Sequence, residues 1–264
     1  MRYRRAMVQS PQPVGDLLRE WRQRRRLSQL ELACEAEIST RHLSFVETGR
    51  AAPSREMVMN LAERLEVPLR DRNTLLLAAG FAPVYGERPL ADPVLHAARE
   101  AIDLILSGQE PYPALAIDRH WTMVASNRAV PPMLTGISAS LLEPPVNVLR
   151  LSLHPDGLAR RIVNLSEWRA HLLDRLRRQI EVSRDPVLGA LMNELRAYPH
   201  DAADTLETDA GVVVPLRLIT EAGVLSFFST TMIFGTPVDI TLAELAVELF
   251  FPADTSTMEI LRRA

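Results

Sequence analysis

Between Ser28 and Arg50 the chain carries two helix starts and one helix stop, spaced so closely that only a short helical hairpin accommodates them. Ser28 is placed to cap one helix while Glu31, three residues on, reaches back to the Ser28 backbone, the reciprocal capping box. Leu32, Ala33 and Ala36 then share a face, and the small alanines let a second helix approach closely. Ser39 is a suitable N-cap for that second helix, and Gly49 stands where a left-handed C-cap is wanted. Within the second helix Leu43 and Val46 are three apart and must face inward. Arg41, Ser44, Phe45 and Thr48 fall on the opposite face, with Thr40 at the N-terminal end.

A helix that only packs would not aim Arg, Ser and Thr together away from its core. Here they are placed to enter a major groove, where Arg pairs with guanine and Phe45 meets a thymine methyl. Gln29 is placed for a phosphate oxygen at the first turn of the preceding helix, and Arg50 follows the second helix as a further candidate contact. On these residues, Leu27–Pro68 resembles the lambda-repressor-like, XRE-type helix-turn-helix family. The resemblance implies five helices, about Val14–Arg26, Ser28–Ala36, Thr40–Thr48, Ser54–Glu66 and Leu69–Ala79. It implies Gln29, Thr40, Arg41, Ser44 and Phe45 as DNA-facing positions, and a pair between Arg22 and Glu47. Glu47 lies on the inward side beside Leu43, so on physical grounds it needs a cation. Many relatives carry Gly in the turn where this chain has Glu37, a departure that bears on the turn geometry.

At 264 residues the chain is long for one domain and comfortable for two, and 47% of it is apolar, enough for a sizeable core. No apolar run has the length that spans a bilayer. The arginine-rich N-terminus is not followed by an apolar stretch, so no signal peptide and a cytoplasmic location are expected. The single cysteine, Cys34, excludes an internal disulfide framework and reads as a small core residue. Residues 1–90 hold fifteen Arg against eleven acidic residues, whereas 91–264 hold fifteen against twenty-two. The basic excess sits with the hairpin, as a phosphate backbone requires. Arg22, Arg24, Arg25 and Arg26 are the phosphate candidates, while Arg2, Arg4 and Arg5 fall in an expected disordered tail over residues 1–13.

Prolines and a glycine in 82–89 break the helical period, so 14–81 is expected as the DNA-binding domain, 82–91 as a linker and 92–264 as a second domain. Asp92-Pro93 opens a helix to about Ser107. Ala114–Asn127 reads as a hairpin, and helices are expected near 167–182 and 186–198. After a polar loop, Pro199–Gly211, strands are expected at Val212–Thr220, Val224–Phe234 and Val238–Phe251, although 242–249 also fits a helical period. Asp254 is placed to cap a last helix. The order hairpin, helices, three strands is similar to that of PAS-type sensors. The carrying stretches are 110–115, 145–157, 162–168 and 250–254. On them this half resembles the PAS-like ligand-binding domain of the MmyB-like transcription regulators.

The two resemblances imply an α plus α+β protein: a five-helix reader followed by a PAS-like antiparallel-sheet sensor with flanking helices. They imply a transcription regulator whose sensor holds a small lipophilic ligand, a fatty acid. The strands offer Leu115, Ile117, Trp121, Met123, Phe227, Phe228, Met232, Phe234, Leu249 and Phe251 as a lining suited to a flexible tail. Arg150, His154, Asn127, Asn147 and Asn164 are candidates for a carboxylate head. Read from residues alone such strand faces favour plain core; the resemblance is what favours a pocket. Repressor-type readers bind near-palindromic operators as dimers, so duplex DNA and a second copy of the chain are the expected partners, and no membrane. In the alternative reading the second domain serves only dimerisation or a protein partner. There is no phosphate loop, zinc-helix motif or nucleophile elbow, and no cofactor is expected. Glu244 and Glu248, four apart, read as an exposed face.

Overall fold

The computed structural model describes residues 12–199 and 213–263. The chain divides into two compact units, one of residues up to Arg88 together with Pro237–Ala243, the other of Pro89–Thr236 and Glu244 onward. Arg2, Arg4 and Arg5, and most of the polar loop expected at Pro199–Gly211, lie outside the described residues.

The N-terminal run of the first unit forms α1 (Val14–Arg24), α2 (Gln29–Glu35), α3 (Thr40–Glu47), α4 (Arg55–Arg64) and α5 (Leu69–Ala78). Each of the three middle helices starts at a serine whose side chain accepts from the backbone N–H three residues on: Ser28 from Glu31, Ser39 from His42 and Ser54 from Met57. The Glu31 carboxylate closes the box on the Ser28 N–H at 2.7 Å. These caps satisfy donors that the first helical turn leaves unpaired. Leu18, Trp21, Leu32, Leu43, Val46, Leu61 and Leu76 form the core. Gly15 lets α1 close on α3, since a Cβ there would stand 2.4 Å from the Val46 carbonyl oxygen. Glu37 takes the turn between α2 and α3 at φ 56°, the left-handed conformation that glycine adopts without strain. Cys34 is exposed rather than core, because Ala33 and Ala36 take the inward positions of α2.

Residues 82–88 pack within this unit instead of running free. Asn73 binds the Val84 and Tyr85 backbone, and Arg88 pairs with the buried Asp239 at 2.9 Å. The Ile240 N–H donates to the Gly86 carbonyl and the Thr241 hydroxyl to the Arg88 carbonyl. The expected strand Val238–Phe251 therefore does not begin at Val238. Asp239 accepts from the Thr241 N–H and starts a helical turn, and the strand begins only at Ala246.

The second unit opens with α6 (His96–Gly108), followed by the hairpin β1 (Ala114–Ile117) and β2 (Met123–Ser126). Short helices α7 (Val130–Met133), α8 (Ala139–Leu142) and α9 (Val148–Leu153) precede the longer α10 (Leu165–Ser183) and α11 (Pro186–Ala197). Strands β3 (Leu216–Thr220) and β4 (Gly223–Ile233) follow; then α12 (Ile240–Ala243), which belongs to the first unit, β5 (Ala246–Pro252) and α13 (Thr255–Arg263), capped by Asp254. All five strands form one antiparallel sheet ordered β2-β1-β5-β4-β3. Alternation along the strands gives the sheet two buried faces. Ala114, Ala116, Val247 and Leu249 meet Ile102 and Leu106 of α6. On the other face Ile117, Leu218, Leu225 and Phe227 meet α9, α10 and α11 through Leu149, Trp168, Leu172, Leu176 and Leu191. A fold of five helices followed by such a sheet with flanking helices is the class expected from the sequence.

Candidate functional site

In the first unit the α3 face turned from the core carries Thr40, Arg41, Ser44 and Phe45, with Thr48 at the helix end. The guanidinium of Arg41 lies 5.3 Å from the Phe45 ring centroid and that of Arg50 lies 6.0 Å from it, so two cations flank one aromatic ring at the surface. Thr48 is tied back onto the last turn of α3, its hydroxyl donating to the Ser44 carbonyl at 2.7 Å.

This face is held from behind by Glu47, whose side chain is wholly buried. Its Oε1 accepts from Arg22 Nε at 2.7 Å and its Oε2 from Arg22 Nη2 at 2.9 Å, with Arg19 at 3.6 Å. Burial alone would raise the Glu47 pKa, but the hydrogen bonds from Arg22 and Gln29 and the two arginine charges outweigh it and hold the carboxyl below its ordinary value. Glu47 in turn raises the Arg22 pKa. Arg22 also donates to the Leu27 carbonyl, so it fastens α1 both to α3 and to the start of the α2 turn. Gln29 is part of the same cluster, its amide nitrogen donating to Glu47 Oε2 at 2.7 Å. Arg22 and Gln29 are thus internal members of the clamp. Of the other expected phosphate contacts, Arg24 lies over Trp21, Arg25 holds the Leu65 and Glu66 carbonyls, and Arg26 is exposed.

In the second unit a cavity of about 100 Å³ lies between the sheet and the helices of its α9–α11 face. Apolar side chains dominate its walls, among them Leu115, Trp121, Met123, Leu149, Trp168, Leu172 and Phe250. Its polar groups are Ser152, Arg175, Ser229 and Glu248. Arg175 of α10 and Glu248 of β5 form a pair in its wall, 2.6 Å from Nη2 to Oε1 and 3.3 Å from Nη1 to Oε2. The Thr231 hydroxyl joins both partners, and the Arg175 guanidinium stands 4.9 Å from the Trp121 ring centroid. Glu248 is buried, correcting its expected place on an exposed face. Its position within an apolar strand is the signal that could have found it, since a charge there requires a partner.

Of the expected lining residues, Trp121, Leu115 and Met123 border the cavity. Phe227 points to the same side but lies in the core, edge-on to Phe250. Phe228 stacks on Phe251, and Phe234 packs with the α6 side of the sheet; Met232 is exposed. Adjacent residues of one strand point to opposite faces, so Phe227 and Phe228 cannot both face the cavity.

The five expected head-group residues are committed elsewhere. Asn127 accepts from the Ala114 N–H and donates to the Leu106 and Tyr112 carbonyls. Asn147 caps α9, and Asn164 ties Pro215 and Arg217 to the start of α10. Arg150 forms a two-bond pair with Glu194, and His154 meets Tyr198 edge-on. None of the five borders the cavity, whereas Arg175 of α10 does, the one cation among the described residues to do so.

Two family models match the chain. That of the MmyB-like transcription regulator ligand binding domain matches residues 98–264, and that of a helix-turn-helix domain matches 13–75. Among solved structures, the crystal structure of the clp gene regulator ClgR from Corynebacterium glutamicum is 26% identical, covering 37% of this chain and 90% of that one at a TM-score of 0.23. No curated protein matches.

Proposed function

Since the chain belongs to the MmyB-like transcription regulators, with a helix-turn-helix domain ahead of the ligand-binding domain, we propose that it reads an operator with α3 and that a small lipophilic ligand governs this reading. The observation that carries the DNA half is the outward set Thr40, Arg41, Ser44 and Phe45 on a helix fixed from behind by the Glu47 clamp. The reader is proposed to act as a homodimer on a near-palindromic site, in the cytoplasm. Thr48 and Arg50 extend the contact face. Gln29 and Arg22 contribute chiefly by positioning, and the second amide hydrogen of Gln29 remains available to a phosphate.

For the second domain the proposed ligand is of the fatty-acid class, an acyl chain in the cavity beside Trp121, Met123 and Phe250. Methionine and aliphatic walls adapt to a flexible tail. Ligand binding would shift the population of sensor conformations and with it the placement of two α3 helices. The alternative, a domain serving only dimerisation or a protein partner, leaves that cavity unexplained. The test is to extract the purified protein with organic solvent, weigh the lipid by mass spectrometry, and select bound DNA from a random pool before and after extraction. Stoichiometric lipid and a changed DNA affinity are expected. An extract without lipid, or DNA selection indifferent to extraction, would overturn the sensor reading.

A further inference from the structure

Two of the strands that wall the cavity are joined to each other through the helix-turn-helix unit. β4 contributes Ser229 to the cavity wall, and β5 contributes Glu248 and Phe250. α6, packed on the opposite face of the sheet, contributes none of the lining among the described residues. Residues 234–245 connect β4 to β5, and Pro237–Ala243 of that connection belong to the first unit. A molecule entering the cavity thus bears on the two strands whose connection the reader holds.

The connection is short and anchored on both sides. Ile233 pairs with Ala246 in the sheet, so three residues lead out to Pro237 and two lead back from Ala243. Even fully extended, two residues reach across at most about 11 Å from Ala243 to Ala246. The tethers therefore limit how far β4 and β5 can shift without pulling on α12. On the sensor side Leu245 is buried, and Glu244 pairs with Arg119 of the β1–β2 turn at 3.4 Å. The Arg119 carbonyl accepts from the Gln179 amide at 2.7 Å, and Gln179 accepts from the indole of Trp121, a cavity wall, at 2.8 Å. On the reader side α12 is tied to residues 86–88 by the Asp239–Arg88 pair and by the Ile240 and Thr241 bonds. The 82–88 segment is itself fastened to α5, through Asn73 and through the Arg70–Glu87 pair at 2.8 Å. α5 packs Leu75 and Leu76 into the core that seats Leu43 of α3. A pull on α12 is accordingly a pull on the reader as a body.

We propose that the β4–β5 connection is the relay of this regulator: occupancy of the cavity displaces β4 and β5, and α12, drawn with them, repositions the helix-turn-helix unit. Asp239 and Arg88 are its positioning residues; neither lines the cavity nor lies on the outward face of α3. Coupling of this kind is a free energy shared by the two sites through an element that both of them bias. The proposal rests on the sensor reading above and adds the route from one site to the other.

The test measures the affinity of the full chain for its selected DNA, as purified and after native removal of lipid on a hydrophobic resin, with lipid content weighed alongside. Wild-type affinity should change at least fivefold on lipid removal. Asp239→Asn removes the charge from the tie and keeps an acceptor for the Thr241 N–H; it should respond less than twofold while carrying the wild-type amount of lipid. Thr241→Val deletes only the bond to the Arg88 carbonyl and should respond no more than threefold, which decides the matter if Asp239→Asn does not fold. A wild-type response in the folded variants overturns the relay and leaves the sensor reading standing. Loss of lipid from those variants overturns it as well, since the segment would then shape the cavity rather than transmit its state. If wild-type DNA affinity is indifferent to lipid removal, the sensor reading fails and the relay with it.

Discussion

Glu47 and Glu248 are the same side chain in nearly the same predicament, and the two units resolve it differently. Each carboxylate is almost fully buried, and each is gripped by two nitrogens of one arginine. Around Glu47 the packing is continuous: Gln29 takes the remaining side of Oε2, Arg19 stands close, and Leu18, Leu43 and Val46 fill the surroundings. Around Glu248 the pair borders a cavity. An ion pair set in solid packing fixes the angle of a helix, because no neighbour can shift without stranding a charge. The same pair set beside a cavity fixes instead the polarity that an incoming molecule meets.

The sharpest way to break this comparison is Glu47→Ala. Removing one partner of a buried pair costs about 3–5 kcal/mol, so the helix-turn-helix unit should melt well below the wild type and lose binding to every DNA sequence. An unchanged melting transition would show that the clamp does not hold α3. The pH dependence tests the same carboxylate without a deletion. Its folded pKa lies below its unfolded one, so its contribution is fully present above about pH 4.3 and is lost as pH falls through the lower folded value. Urea melts of wild type and Glu47→Gln should converge in acid; parallel curves down to that range would contradict the assignment.

Arg41→Ala leaves the clamp alone and should cost roughly 1–3 kcal/mol of specific binding while relaxing the choice at one base pair. An equal loss on all sequences would make Arg41 a phosphate contact. Glu248→Gln should cost less stability than Glu47→Gln, about 1–2 kcal/mol, since Arg175 is partly exposed and the cavity admits water to it. Should the two variants melt alike, the contrast drawn between them would fail. The smallest effect is a gain. Glu37→Gly removes a left-handed non-glycine residue and should raise stability by about 0.5–1 kcal/mol, read as a higher melting temperature with DNA affinity unchanged.

How far the sequence spoke depended on whether a feature was local. Ser28, Ser39 and Ser54 announce three helices because a cap lies within three residues of the groups it satisfies. Leu43, Val46 and the outward Arg41 and Phe45 follow from helical spacing in the same way. The cavity was legible only in kind. Strand alternation separates Phe227 from Phe228, yet which of the two faces the cavity depends on helices from elsewhere in the chain. Arg175 and Glu248 stand 73 residues apart, and Glu248 alone reads as part of an exposed face. Arg150, Asn127, Asn147 and Asn164 have the right chemistry for a head group, but local backbone and a neighbouring carboxylate claim them first. The turn at Asp239 was hidden because its partners in 86–88 lie some 150 residues earlier.

That turn has a consequence for anyone who would cut the molecule apart. The first unit takes in Pro237–Ala243 as well as its N-terminal run, so the chain passes between units three times, after residues 88, 236 and 243. A fragment ending at Arg88 would leave Arg88 without Asp239 and the Gly86 carbonyl without the Ile240 N–H. Grafting the reader onto another sensor by a single splice would transplant an incomplete unit. The two halves differ in charge and in task, yet in covalent terms they are stitched together rather than strung in series.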